Sequence, residues 1–208
     1  SKGICYVAAS GINGHDGMTI LDVSDPSKPK ILNQISDSPG ARTHKVLKIS
    51  DDIMITNSEL RPNLIGKYPD LKGGLKVFDI SDPINPKFLK YVQTDGVGVH
   101  RPIYDRDRKL LYSSGYRDGF DKKILLIHDM KDPANPEFIG QGWVEGQKKG
   151  ENYSWDNSIV QNEAWCHEGN PWGNFVTAGW WDGGIVLFDC TDPSNPKFKW
   201  RHNPHETH

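Results

Sequence analysis

Repeated four-stranded antiparallel sheets set around one axis, a β-propeller, are what three features of this chain imply. An apolar run, Asp-Pro-x-x-Pro and a second apolar run recur four times, as in "GLKVFDISDPINPKFLKYV" at residues 74–92. A Gly-containing dipeptide stands shortly before each first run. The runs are rich in β-branched and aromatic residues, which fit a pleated surface better than a helix.

The Asp-Pro dipeptides begin at Asp25, Asp82, Asp132 and Asp192, spaced 57, 50 and 60 residues apart. A four-stranded blade takes about 40–45 residues, so each spacing leaves room for loops. At such a corner the Asp can bond its own backbone, the first Pro fixes φ, and the second stops ladder pairing before the next strand. Ahead of the corners the runs are apolar on both faces. Leu75 and Val77 oppose Phe78 and Ile80; Ile185 and Leu187 oppose Val186, Phe188 and Cys190. Strands of that kind belong between two packed layers. Asp16-Gly17, Gly73-Gly74, Asp118-Gly119 and Asp182-Gly183 read as hairpin turns. "YVAAS", "IMITNS", "LLYSSGY" and "FVTAGWW" are strands before them, and "THKVLKIS" and "VHRPIYD" supply one more strand per unit. The units run approximately over 1–41, 42–98, 99–158 and 159–208, in a single propeller domain or propeller segment. An irregular β-sandwich is the competing architecture, and it needs no recurring corner.

The chain opens on what would be a unit's second strand and stops at "PHETH", too short for the next unit's first strand. It also begins without Met, as a processed chain or a piece of a longer one would. Either four blades close imperfectly or, the favoured expectation, the chain is part of a larger ring of about seven or eight blades, completed by further sequence or by a second chain.

The segments "LDVSDPSKPK", "FDISDPINPK", "HDMKDPANPE" and "FDCTDPSNPK" resemble LVIVD repeats, units of β-propellers in which an apolar strand leads into Asp-x-Ser-Asp-Pro. The third copy departs from that pattern at His128 and Met130. The resemblance implies the propeller fold strongly and function weakly, and it suggests a secreted or cell-surface location.

With 25 basic and 27 acidic residues interspersed, no basic stripe speaks for nucleic acid and no polybasic patch for an anionic membrane. No apolar run approaches the roughly 20 residues that span a bilayer, and "SKGICYVAAS" reads as a strand rather than a signal peptide. Cys5, Cys166 and Cys190 are odd in number and lack CxxC spacing, so a disulfide framework is not expected. P-loop, GxGxxG, HExxH, GxSxG and EF-hand patterns are all missing from the sequence.

The inner strand of each propeller blade lines the axis, so recurring residues there are the place to look for chemistry. His44 and His100 follow the preceding unit's last strand, and His208 follows the fourth corner in the same way. His167 is the fourth-unit candidate; if "VQNEAW" is the inner strand, Gln161 or Asn162 takes its place and His167 is a loop residue. One imidazole per blade could hold a transition metal such as Zn, Fe or Cu. Arg42 and Arg101 beside the histidines could grip a carboxylate bidentately, and Glu163 or Glu168 could orient an imidazole or act as a base. In a metal-assisted enzyme His100, Arg101 and Glu163 would be catalytic, with His44, His100, His167 and His208 as ligands. Tyr104, Tyr116, Trp165, Trp180 and Trp181 would wall a pocket or pack between blades. His128 aligns with Leu21, Phe78 and Phe188 and reads as a packed, hydrogen-bonded core residue. The Asp at the end of each such strand (Asp22, Asp79, Asp129 and Asp189) recurs, as a corner-setting residue should. Residues 61–73 and 145–158 are inserts, fitted for recognition, solvated decoration or subunit contact.

Two functions follow. One is a binding or scaffolding propeller for a small-molecule or protein ligand, a homo-oligomer or a second chain completing its ring. The other is an enzyme with a metal-assisted small-molecule site on the axis.

Overall fold

The computed structural model describes residues 3–10, 16–37, 40–61, 67, 73–152 and 164–202. Among the described residues the regular structure is antiparallel β, apart from one 3-10 turn at Trp181–Gly183. None of the described helices is long and apolar enough to cross a membrane. The chain divides into two compact units, Ser1–Val99 and His100–His208.

In the first unit, β1 (Ile4–Ser10), β2 (Asp16–Asp22) and β3 (Lys30–Ser36) form one sheet in that order. β4 (Ala41–Arg42) and β5 (Val46–Lys48) both pair with β6 (Ile53–Leu60), which is followed by β7 (Gly74–Asp79) and β8 (Lys87–Gln93). β9 (Asp95–Asp105) begins in this unit, where Gly98 stands opposite Glu59, and ends in the next. The second unit continues with β10 (Leu110–Tyr116), β11 (Ile124–Asp129) and β12 (Glu137–Gly142), paired in order after β9. Its last sheet is β13 (Glu168–Trp172), β14 (Phe175–Gly179), β15 (Ile185–Asp189) and β16 (Lys197–His202). The extra strands expected at "THKVLKIS" and "VHRPIYD" are thus β5 and β9. The described part of the fourth sheet's ladder begins at Glu168 opposite Gly179, and the His167 N–H bonds the Gly179 carbonyl at 2.8 Å, so His167 stands at the head of β13. Gln161 and Asn162 lie outside the described residues.

The corners are built as the residue types demand. Asp22, Asp79, Asp129 and Asp189 each accept the N–H two residues ahead, from Ser24, Ser81, Lys131 and Thr191, at 2.8–3.0 Å. Side-chain bonds from Ser81, Lys131 and Thr191, followed by these backbone bonds, hold Asp79, Asp129 and Asp189 below the usual carboxylate range, and for Asp22 the Ser24 backbone bond leads. Asp25, Asp82, Asp132 and Asp192 repeat the device with Ser27, Ile84, Ala134 and Ser194 at 3.0–3.1 Å. Just before each corner the ladder slips by one residue, between Ile20 and Leu21, Val77 and Phe78, Ile127 and His128, and Leu187 and Phe188. A bulge at the same place in every sheet is a designed feature of the repeat.

The corner of one sheet grips the sheet before it. Tyr6 Oη donates to the Pro83 carbonyl at 2.9 Å and Asn33 Nδ2 to that of Ile84 at 2.8 Å. In the second unit a Cβ on Gly140 would sit 2.0 Å from the Pro193 carbonyl oxygen, and Arg108 donates to the Cys190 carbonyl at 2.6 Å. Apolar packing follows the same pairing. Ile20, Met18 and Tyr6 meet Met54, Phe78 and Ile80 in the first unit. Tyr112, Leu125 and Ile127 meet Val176, Val186 and Phe188 in the second. Each such fully buried large side chain is worth roughly 2–3 kcal/mol.

Two expectations are corrected. Asp118-Gly119 and Asp182-Gly183 do lie in connections, but Asp16-Gly17 and Gly74 are already in strands. Gly17 and Gly74 have φ of +128° and +140°, and a Cβ on either would stand 2.1 Å from the outer strand's carbonyl oxygen, of Ile35 or Val92. Close approach of two strands, rather than a tight turn, is what these glycines permit. The second correction concerns β15. Val186, Phe188 and Cys190 are buried, but Ile185 is 47% exposed, so this strand is covered on one face only.

Candidate functional site

His44 lies two residues before β5. Asn57 of β6 fixes the backbone there, its Oδ1 accepting the N–H groups of His44 at 2.7 Å and Lys45 at 2.9 Å. The imidazole Nε2 is 3.1 Å from Oε2 of Glu59, a carboxylate only 1% exposed. Arg42 reaches the same oxygen through Nε and Nη2, both at 3.1 Å. So Arg42 serves a carboxylate of this chain. Glu59 was not foreseen, because its partners, Arg42 and His44, lie on and just after a neighbouring strand; the signal was an acidic residue near the end of a strand that opens on Ile53, Met54 and Ile55. A second buried ion pair, Lys76 with Asp37, lies in the same unit, and Thr43 Oγ1 donates to Asp37 at 2.6 Å. Lys76 stands where the other sheets carry Thr19, Leu126 and Val186.

The second unit gathers a different set. His100, in β9, is buried, and its ring centroid is 5.0 Å from that of His167. His167 meets Trp181 edge-on at 5.9 Å, and Trp181 stacks on Trp165 at 4.8 Å with planes 17° apart. The Lys123 ammonium lies 4.6 Å from the Trp165 ring centre. Arg101 and Glu168 form an ion pair at 3.7 Å. Arg101 and Trp181 have φ of +40° and +43°, a region that side chains other than glycine's enter at a cost. An open cavity of about 370 Å³ lies beside them, lined by His167, Gly179, Trp180, Trp181, Gly184 and Ile185.

Trp180, by contrast, is fully buried, its indole N–H donated to Gln147 Oε1 at 3.0 Å. Gln147 belongs to the 145–158 insert and also donates to the carbonyls of Lys123 at 3.1 Å and of Asp121 and Ala164 at 3.3 Å. The described start of that insert is therefore a structural plug. Tyr116 and Tyr104 are half-buried, near the cations of Lys123 and Arg106 respectively. His128 is buried as expected, edge-on to Phe138 at 5.7 Å, but its Nδ1 has no hydrogen-bond partner among the described residues. Desolvation, then Arg117, pushes its pKa down to about 4. Burial likewise pushes up the thiols of Cys166 and Cys190, so neither is a thiolate at neutral pH. Glu163 and His208 lie outside the described residues, as does nearly all of 61–73.

The ladders show which positions correspond. Ile53, Leu110 and Phe175 face Asp79, Asp129 and Asp189, so Asn57, Ser114 and Gly179 share one position, and Glu59, Tyr116 and Trp181 share another two residues on. Glu168 faces Gly179, as Lys45 would face Asn57 one step beyond the β5–β6 ladder. His167 is thereby the counterpart of His44.

The family model for the LVIVD repeat matches residues 5–36, 62–94 and 172–203. The chain carries LVIVD repeats. The copy around Asp132, with His128 and Met130, is outside the matched residues, and no curated protein matches the chain. Among solved structures, a Lactobacillus plantarum protein is 10% identical with a TM-score of 0.67, over 96% of this chain and 52% of that one. A candidate 6-phosphogluconolactonase from Bacteroides uniformis is 14% identical with a TM-score of 0.57, over 98% and 54%. The computationally designed Ika4 protein is 13% identical with a TM-score of 0.51, over 90% and 85%. At such identities the likeness is one of fold, and the fold is β-propeller-like. The LVIVD chain spans about half the length of the first two.

Proposed function

We propose that this LVIVD protein is a binding module that takes a small molecule with a flat apolar body and an anionic group. The observation that carries this reading is the cluster of His100, His167, Trp165 and Trp181, of which His167 and Trp181 line an open cavity, with Arg101 paired to Glu168, the residue after His167. Binding sites are concave and mostly apolar with a few placed polar groups, and two strained backbones at one cluster fit a site held ready for a ligand. The indole faces would take the flat body; Arg101 and the imidazoles would take the anion. Saturation-transfer NMR with benzoate as probe tests it. Transfer is expected with the parent protein, lost in Trp181→Ala and at least tenfold weaker in affinity in Arg101→Ala. No transfer, or transfer unchanged in both variants, overturns the reading.

The metal-assisted alternative is favoured by a separate observation, the imidazole nitrogen of His44 and the buried carboxylate of Glu59 at 3.1 Å. Neutral imidazole and carboxylate suit Zn or Fe. On this reading purified protein carries near-stoichiometric transition metal, and His44→Ala loses it; metal-free parent protein overturns it.

A further inference from the structure

We propose that Gln147, in the 145–158 insert, is the positioning residue of the indole pair at the candidate site. It touches no ligand; it sets Trp165 and Trp181 against each other. The use of that arrangement to a ligand rests on the binding reading above, while the arrangement itself does not. Trp165 lies in the connection before β13, and Trp181 opens the 3-10 turn that follows β14. Their rings nevertheless stack at 4.8 Å with planes 17° apart. Neither residue is buried, and stacking of exposed rings is weaker than the cost of ordering two stretches of backbone. Something else must bring the two backbones into register.

Gln147 bonds to the residue before each ring. Its Nε2 donates to the Ala164 carbonyl at 3.3 Å, and its Oε1 accepts the Trp180 indole N–H at 3.0 Å. Nε2 also donates to the Lys123 carbonyl at 3.1 Å, and that same oxygen accepts the Cys166 N–H at 2.9 Å. Trp165 is thus held through both of its chain neighbours. Across the hub, Trp181 has its φ at +43°, a conformation that persists only where the surroundings over-determine it. The turn closes through the Trp180 N–H on the Gly184 carbonyl and the Gly183 N–H on the Trp180 carbonyl, both at 2.7 Å. Arg201 fastens the Gly183 carbonyl at 3.0 Å. Those bonds shape the turn; the bond from Trp180 to Gln147 ties it to the segment that carries Trp165. The hub is itself fixed. Gln147 is wholly buried, its N–H reaches the Val144 carbonyl at 3.1 Å, and its carbonyl accepts the Asp121 N–H at 2.7 Å. The side-chain amide fits in one orientation, because the reverse would turn NH2 on the N–H groups of Trp180 and Val144 and set its oxygen against three carbonyls.

Circular dichroism of the full chain reads the pair directly, because two stacked indoles couple their transitions into bands of opposite sign. The difference between the parent protein and Trp165→Phe isolates that signal. Gln147→Met keeps the length of the side chain and makes none of its bonds. It is expected to stay folded and lose most of the signal, with benzoate affinity about tenfold weaker as preorganisation is lost. Leu111→Ala is the control, a buried truncation outside the core cluster that holds Trp180. It should lower the melting temperature and leave the signal intact, which separates positioning from loss of stability. Should Gln147→Met fail to fold, Gln147→Glu takes its place: the carboxylate still accepts from Trp180 but repels the carbonyls of Lys123 and Ala164, and the same loss is expected. A full signal in the Gln147 variant that folds overturns the proposal. So does an equal loss in Leu111→Ala, or a parent spectrum that Trp165→Phe leaves unchanged. If the parent protein does not bind benzoate, the ligand reading falls by itself, and the spectrum still decides whether Gln147 sets the pair.

Discussion

His44 and His167 occupy the same ladder position in different sheets, yet one is held by a buried carboxylate and the other by an indole. The repeat sets where the imidazole goes; a single neighbouring position, Glu59 in one sheet and Trp181 in the other, sets what it can do. Glu59 is buried and its Oε2 is shared by Arg42 and His44. Trp181 is 47% exposed and leaves His167 on the wall of a cavity. Repetition in this LVIVD chain builds the frame, and departures from it give each unit its own chemistry.

The sharpest test of that contrast is Glu59→Leu. It leaves Arg42 and His44 without their shared acceptor and should cost about 3 kcal/mol in urea unfolding, as breaking a buried pair does. A loss under about 1 kcal/mol would mean that the first corner is no more locked than the second.

His128 offers the next largest effect, at the ladder position where Phe78 and Phe188 stand. Its folded pKa of about 4 lies below the ordinary value of 6.5, so the unfolded chain binds the proton more readily. The neutral imidazole's full contribution is present above about pH 6.5 and is lost as pH falls toward 4, on the order of 3 kcal/mol in all. His128→Phe should remove that part of the pH dependence and bring the third sheet into line with its neighbours; an unchanged stability profile between pH 4 and 7 would refute the assignment.

Smallest is Trp181→Ala, whose stacked, half-exposed ring should cost no more than about 1 kcal/mol in thermal unfolding. A larger loss would make Trp181 a structural residue like Trp180.

Corners, their Asp residues and the strands around them were legible in the chain because their bonds span two or three residues, as between Asp79 and Ser81. Glu59 and Gln147 were not. Each is satisfied by groups far along the chain, Arg42 at a separation of 17 residues and the Lys123 carbonyl at 24, and local pattern carries no trace of such partners. The β15 face misled for a related reason: an apolar run states what a strand can bury, while what covers it depends on the neighbour. His167 was loosely aligned because an insert precedes it, and only the ladder at Gly179 restores its register.

The latch between sheets closes through main-chain oxygens, those of Pro83, Ile84 and Cys190. A carbonyl is common to every amino acid, so on the corner's side almost any substitution keeps the fastening. The fastening thus asks little of the corner's side chains, which fits a fold shared at 10% identity.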